Sequence, residues 1–242
     1  MKPLLIVKTG TTFSSIRQRY GDFDDFILSQ LQITAHDAII APIFETLWLP
    51  KLDIISGVII TGSHSMVTDR EEWSEYLAEW LRNIPAGSLP VLGICYGHQL
   101  LAHAFGGEVR YHPQGVEIGT VSIQLTQEGR KDPLLGFLPN SFLGHVDHSQ
   151  TVIKLPDEAK LLAKNDFEPH HAFVIRGNMW GVQFHPEFGA EITRAYIDEQ
   201  KQELAQAGYD IEQLQKTVQD HIYGMMLLKR FWEIVRYSDQ TS

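Results

Sequence analysis

The residues with the clearest capacity for chemistry are Gly93-Ile94-Cys95-Tyr96-Gly97-His98-Gln99. Cys95 is the sole cysteine of the chain. It stands between an apolar run, Pro90 to Ile94, and an amphipathic run, Gln99 to Phe105, a pattern that reads as strand, sharp turn and helix. Gly93 and Gly97 flank it two residues away on either side. A nucleophile on a strained strand-to-helix turn needs such small neighbours, because strand and helix close tightly around it; G-x-C-x-G is the thiol form of the hydrolase elbow. The turn also directs backbone N–H groups and a helix N-terminus at the reacting centre, where both stabilise a developing oxyanion. A nucleophile of this kind needs a base, and the base needs a group to orient it. Further along, Trp180, Val182 and Phe184 alternate with Gly181 and Gln183 as in a strand, and His185 and Glu187 follow. Positions i and i+2 of an extended chain share a side, and Pro186 stiffens the link between them. Glu187 is then placed to hold one imidazole nitrogen while the other faces Cys95. Either segment alone has a plainer reading, as a buried structural cysteine or a satisfied histidine near a strand end. Together they describe a Cys/His/Glu relay.

In order and spacing, Gly93-Ile-Cys-Tyr-Gly-His-Gln-Leu100 and Gly181-Val-Gln-Phe-His-Pro-Glu187 resemble the class I glutamine amidotransferases. That family includes the ammonia-producing parts of GMP synthetase, anthranilate synthase and carbamoyl phosphate synthetase. The resemblance runs from about Leu4 to about Phe188. It implies hydrolysis of the glutamine side-chain amide through a γ-glutamyl thioester, with Cys95 as nucleophile, His185 as general base and then acid, and Glu187 as orienting carboxylate. No metal or organic cofactor is implied. The family usually has Gly-Gly-Pro where this chain has Gly62-Ser63-His64, after the run Gly57 to Thr61. The resemblance assigns the oxyanion to the backbone N–H groups of Ser63 and Tyr96, with Gly62 in the substrate site, and makes the chain look like the stand-alone, GMP-synthetase-like members. Asp147-His-Ser-Gln-Thr-Val152 lies where the family often has Ser-His-Gly-Asp-x-Val, whose backbone holds the α-amino and α-carboxylate groups of glutamine. Asp147, Ser149 and Gln150 replace the usual residues there, and Gln99 matches a glutamine-contacting position.

Two other functions fit the same residues. A γ-glutamyl peptidase would use the same relay and differ only in its leaving group. A non-catalytic regulatory or binding relative would use the C-terminal segment for a partner, but an intact triad argues against it. The implied small molecule is glutamine or another γ-glutamyl compound. None of the glycines forms a phosphate-cradling loop, so an ammonia acceptor is expected on a separate protein.

These residues need a scaffold. Leu4–Val7, Ala38–Ile43, Gly57–Thr61 and Val91–Ile94 read as buried strands, and 24–31, 70–84 and 99–104 as helices between or after them. Trp73, Tyr76, Leu77, Trp80, Leu81 and Ile84 form one stripe of the second helix. Alternating strand and helix predicts a three-layer α/β fold around a mostly parallel sheet, with the site at the carboxyl ends of its strands. Both Ser63 and Cys95 fall at such ends. After Gly106-Gly107, shorter strands over 108–111, 120–125 and 172–175 suggest a small antiparallel extension carrying 145–152. Beyond Glu187, 191–207 and 210–237 lack proline and read as helices separated by Gly208. Ile211, Leu214, Val218, Ile222, Met225, Met226, Phe231 and Ile234 recur near helical spacing. Such a stripe is expected to pack on its own sheet, the alternative being a partner surface or lid. The polar stretch 198–215 is expected over the mouth of the site. One domain is expected over 1–242, with a core over 4–188 and helices over 189–242.

Composition narrows the class. The chain has 242 residues, enough for one large α/β domain, and a formal net charge of −10. That charge argues against non-specific binding to nucleic acid or an anionic membrane. One cysteine suits a reducing compartment, no apolar run approaches the ~20 residues that span a bilayer, and a cytoplasmic location is expected. The 11 histidines show no helical His-Glu-x-x-His pattern, so no metal site is expected, and His98 is expected to be structural.

Overall fold

The computed structural model describes residues 2–241. A nine-stranded sheet contains β1 (Leu4–Lys8), β2 (Ala38–Pro42), β3 (Gly57–Ile60), β4 (Val91–Ile94), β6 (Glu117–Leu125), β7 (Ser141–His148), β9 (Lys160–Lys164), β10 (Ala172–Ile175) and β11 (Met179–Val182). Its order is β2-β1-β3-β4-β11-β10-β9-β6-β7. From β2 to β11 neighbouring strands run parallel. From β11 to β7 they run antiparallel. Two further strands, β5 (Glu108–Tyr111) and β8 (Gln150–Lys154), form a small antiparallel sheet.

Helices cover both faces of the parallel half, and the strands show why. Leu4 and Ile6 of β1 enter one core with Ile27 and Leu31 of α2 (Phe23–Leu31) and with Leu227, Leu228, Phe231 and Val235 of α9 (Tyr223–Thr241). Leu5 and Val7 enter the opposite core with Leu77 and Leu81 of α4 (Glu72–Arg82) and Leu100 and Leu101 of α5 (Tyr96–Ala104). Ile59, Leu92 and Trp180 share the first core, and Val58, Val91 and Met179 the second. A strand buried on both faces must be apolar at every position, which is the continuous pattern in the sequence. Helix α9 does pack on the protein's own core, but through Leu227, Leu228, Phe231 and Val235; of the expected stripe within this helix only Phe231 is fully buried, and Ile222, just before it, is exposed. Gly57 permits the close approach, since a Cβ there would lie 2.6 Å from Val235 Cγ2.

Several expected boundaries move. Strands 120–125 and 172–175 belong to the main sheet as parts of β6 and β10, and only 108–111 joins the small one, through β8. The substrate-side stretch 145–152 is divided between the end of β7 in the main sheet and the start of β8 in the small antiparallel one. Its His, Asp and Ser residues hide the strand period. Ile43 leaves β2 and opens α3 (Ile43–Thr46), because Pro42 has no N–H for the ladder. The polar helix α1 (Ser14–Tyr20), which buries only Ile16, had no apolar stripe to announce it. The stretch 191–207 divides at Gln200 into α6 (Ala190–Glu199) and α7 (Lys201–Gln206). The stretch 210–237 divides into α8 (Ile211–Thr217) and α9, because tertiary bonds capture the chain between them. Arg194 Nη2 donates to the Val218 carbonyl at 2.8 Å, and Gln219 N donates to Thr120 Oγ1 at 3.1 Å. None of the described helices is long and apolar enough to cross a membrane.

Candidate active site

Cys95 sits where β4 becomes α5. Its amide donates to the Val182 carbonyl of β11 at 2.8 Å, so the strand ladder runs up to it, and its own carbonyl accepts from Gln99 N inside the helix. Between these two demands its backbone takes φ 49° and ψ −98°, a left-handed geometry unusual for a side-chain-bearing residue. The glycines make the turn possible. A Cβ at Gly93 would lie 2.4 Å from the Gly97 carbonyl oxygen, and one at Gly97 would lie 2.7 Å from that of Ile60. Gly181, opposite Gly93 in β11, gives the same clearance to His98 Nδ1. His98 is fully buried against Phe173, with burial driving its pKa well down, so it fills the helix–sheet interface as a neutral ring outside the cavity.

His185 lies past the end of β11, tied by its amide to the His145 carbonyl of β7 at 2.7 Å. Glu187 Oε1 lies 2.8 Å from His185 Nδ1, which leaves the other ring nitrogen available to Cys95. The imidazole stacks on Phe188 at 4.1 Å. Burial alone would lower its pKa, but the charges of Glu187 and Cys95, with their hydrogen bonds, raise it well above the ordinary value. The arrangement therefore favours an imidazolium facing the sulfur. Gly62 packs on the imidazole edge, where a Cβ would come within 3.0 Å of Cε1, and does not line the cavity.

A cavity of about 290 Å³ opens beside Cys95. Ser63, Tyr96, Gln99, Asp147, Ser149 and Gln150 line it, so the structure gathers these sequence candidates around the sulfur. Ser63 Oγ donates to the Thr9 carbonyl at 2.7 Å and accepts from Ser65 N at 3.0 Å, which fixes the loop after β3. Gly10 makes room for that contact. The Tyr96 phenol donates to Ser74 at 2.6 Å, well away from the sulfur, so only its backbone can serve the reacting centre. Gln99 spends both amide protons, on the Gln150 carbonyl and on Gln183 Oε1, each at 3.0 Å. It braces the wall from behind. The Asp147 carbonyl oxygen lies 3.7 Å from Cys95 Sγ, and its carboxylate accepts from Gln200 Nε2 at 2.7 Å. Burial raises the Asp147 pKa to about 6, against the lowering effect of Gln200.

Other lining residues carried no local signal in the sequence. Phe13, Met66 and Val116 supply apolar surface, and Glu199, Gln200 and Glu203 come from α6, α7 and the joint between them. Only the polarity of 198–215 pointed towards the mouth. His148 also lines the cavity and closes a buried network: Nδ1 donates to the Gln150 carbonyl at 2.9 Å and Nε2 lies 3.0 Å from Glu117 Oε2. Among the described residues, no group of three or more His, Cys, Asp or Glu is placed to hold a metal ion.

Comparison with known proteins bears on this geometry. The family model described as glutamine amidotransferase class-I matches residues 28–204, well over half of the chain. The glutamine-hydrolysing GMP synthase of Porphyromonas gingivalis is 39% identical over 157 residues, which cover 62% of this chain and 29% of that protein. The chain thus matches less than a third of that relative's length. Gamma-glutamyl peptidase 4 of Arabidopsis thaliana is 29% identical over 156 residues, covering 61% of this chain and 59% of that one. The crystal structure of a glutamine amidotransferase from Thermotoga maritima superposes with a TM-score of 0.75 over 97% of this chain and 98% of that one, at 21% identity, a likeness of fold.

Proposed function

The chain belongs to the class I glutamine amidotransferase family, and from that premise we propose that it hydrolyses the side-chain amide of glutamine through a γ-glutamyl thioester on Cys95. The observation that carries the reading is the buried His185–Glu187 pair, with the imidazole under the charge of Cys95 at the elbow. The sulfur attacks the amide carbon, and the C–N bond breaks as His185 protonates the departing ammonia. His185 then takes a proton from water, which cleaves the thioester to glutamate and restores the sulfur. Glu187 holds the ring in one orientation and stabilises its charged form, as the carboxylate of a Ser-His-Asp triad does. The backbone N–H groups of Ser63 and Tyr96, at the start of the loop after β3 and the first turn of α5, are our assignment for the oxyanion. Asp147, Ser149 and Gln150, with Gln99 behind them, form the wall for the rest of the substrate. On this reading residues 1–242 act as one domain, with the ammonia used by an acceptor on a separate protein in the cytoplasm.

A second reading, a γ-glutamyl peptidase, draws on the likeness to the Arabidopsis peptidase. It also draws on the replacement of the usual segment by Asp147, Ser149 and Gln150 in the wall. Steady-state ammonia release from glutamine, measured beside cleavage of γ-glutamyl dipeptides and with Cys95→Ala as control, tests both. Cys95-dependent release from glutamine supports the first. Dipeptide cleavage alone replaces it with the second. Silence on every substrate removes both.

A further inference from the structure

The cavity beside Cys95 is lined by carboxylates, and the cations that act on Asp147, which are His185 and His148, each face a carboxylate of their own. Asp147 stands in its wall, and Glu199 and Glu203 are exposed at its mouth. Among the described residues that line it, none is Lys or Arg. Glu199 accepts a hydrogen bond from the hydroxyl of Ser15, a neutral partner. The two histidines of the lining do not supply the missing charge. His64 has its pKa lowered by burial and then by His185. His148 spends both ring nitrogens on the Gln150 carbonyl and Glu117, so it brings its own counter-charge. Behind the sulfur, His185 is likewise paired with Glu187.

A second observation points the same way. Gln150 is 1% exposed and lines the cavity, and its Nε2 donates to Thr68 Oγ1 at 2.6 Å. Its buried Oε1 has no hydrogen-bond partner. An orphaned buried acceptor is costly, and a ligand that donates a hydrogen there relieves the cost. The wall thus lacks a donor at Gln150, and the mouth carries negative charge at Glu199 and Glu203. At about 290 Å³ the cavity is close to the lower end, roughly 300 Å³, of small-molecule sites. A glutamyl group occupies its depth, and anything attached through the γ-amide extends to the mouth at Glu199 and Glu203.

We propose that this site selects γ-glutamyl compounds whose amine portion carries a second positive charge, such as γ-glutamyl monoamides of diamines, over those whose amine portion ends in a carboxylate. The inference rests on the thioester reading above and names its substrate class. Chemistry is unchanged: the sulfur–carbon bond forms, the C–N bond breaks, the amine leaves with the proton from His185, and water returns the thioester to glutamate and free sulfur.

The test uses three substrates of matched length, the γ-glutamyl amides of diaminobutane, butylamine and aminobutyrate, which differ in terminal charge. With the full chain at low salt, kcat/KM is expected to fall in the order cationic, neutral, anionic, with roughly tenfold between the extremes. About 0.5 M salt compresses that spread, since it shortens the Debye length, and so does the double variant Glu199→Gln, Glu203→Gln. Calorimetric binding to Cys95→Ala gives the same order with chemistry removed. An anionic substrate equal to or better than the cationic one, in turnover and in binding, overturns the proposal. Cys95-dependent glutamine hydrolysis without the charge order overturns it while leaving the function standing. Absence of turnover on glutamine and all three amides removes the function, and the binding order on Cys95→Ala then decides the charge selection alone.

Discussion

On one side of the cavity Cys95 is held by apolar parallel strands; on the other, the β7–β8 wall is built around buried charge. At the elbow the packing is continuous, from Ile60 and Val91 to Leu101, and it is close enough that Gly93 and Gly97 leave no space for a methyl group. Such packing holds a residue at φ 49°, a conformation that no local preference of Cys95 sustains. In the wall, Glu117 accepts from Asn165 at 2.7 Å, faces His148 at 3.0 Å, and has His171 Nε2 at 3.3 Å. Burial alone would raise the Glu117 pKa, but the two histidines bring it well below the carboxylate range. Geometry at the sulfur is thus set by sterics, and the shape of the substrate wall by a charge network that pH can reach. A change in the first should strike turnover, and a change in the second should strike stability and substrate affinity.

The largest effect is expected from Cys95→Ala. Ammonia release from glutamine should fall by about 10⁴-fold or more, with the melting temperature held; comparable residual activity would detach the chemistry from the elbow. Glu187→Gln keeps the ring contact but not the charge, and kcat should fall by roughly 10²–10⁴ with KM little changed. Gly93→Ala should cost about 3 kcal/mol in denaturant unfolding, because its Cβ would meet backbone 2.4 Å away.

Glu117→Gln probes the opposite wall. It breaks a buried pair and should cost about 3 kcal/mol near pH 6. The sign with pH follows from both partners. Glu117 is lowered from 4.5, so its contribution is present above that value and is lost as pH falls through the lowered one. Burial works against the charge of His148, yet Glu117 raises its pKa above 6.5, so its contribution is present below that value and is lost as pH rises through the raised one. The stability difference between wild type and variant should therefore peak between pH 4.5 and 6.5 and shrink on both sides. A flat difference across that range would show that the network is steric rather than electrostatic. The smallest effect is expected from Gln200→Ala, which unties the α6–α7 joint from Asp147. KM should rise a few-fold, the lower end (about 0.5–1 kcal/mol) of the net worth of one hydrogen bond. The Asp147 midpoint should move above about 6, because the lost hydrogen bond was lowering it.

The two regions also differed in how far they could be read from the sequence. The elbow was legible because its determinants are local: an apolar run, Gly93, Cys95, Gly97 and an amphipathic run lie within fifteen residues or so. His185 and Glu187 were legible for the same reason, as i and i+2 positions after a strand. The wall was not. β7 carries His145, Asp147 and His148 in a strand whose period they obscure, and its stability comes from Glu117, Asn165 and His171, which are distant in sequence. The break between α8 and α9 is set by Arg194 and Thr120, and no residue at 218–222 announces it.

By itself, the sequence determined the α/β class, the parallel strands and the glycine-flanked turn, because apolar period and steric allowance act over a few neighbouring residues. Tertiary structure alone decided that 145–152 is divided between β7 of the main sheet and β8 of the small one, and that Leu227, Leu228 and Val235 carry the covered face of α9. It also decided that, of the polar stretch 198–215, it is Glu199, Gln200 and Glu203 that line the cavity. Each of those depends on which distant surfaces meet, and burial and buried charge have no energy until they do.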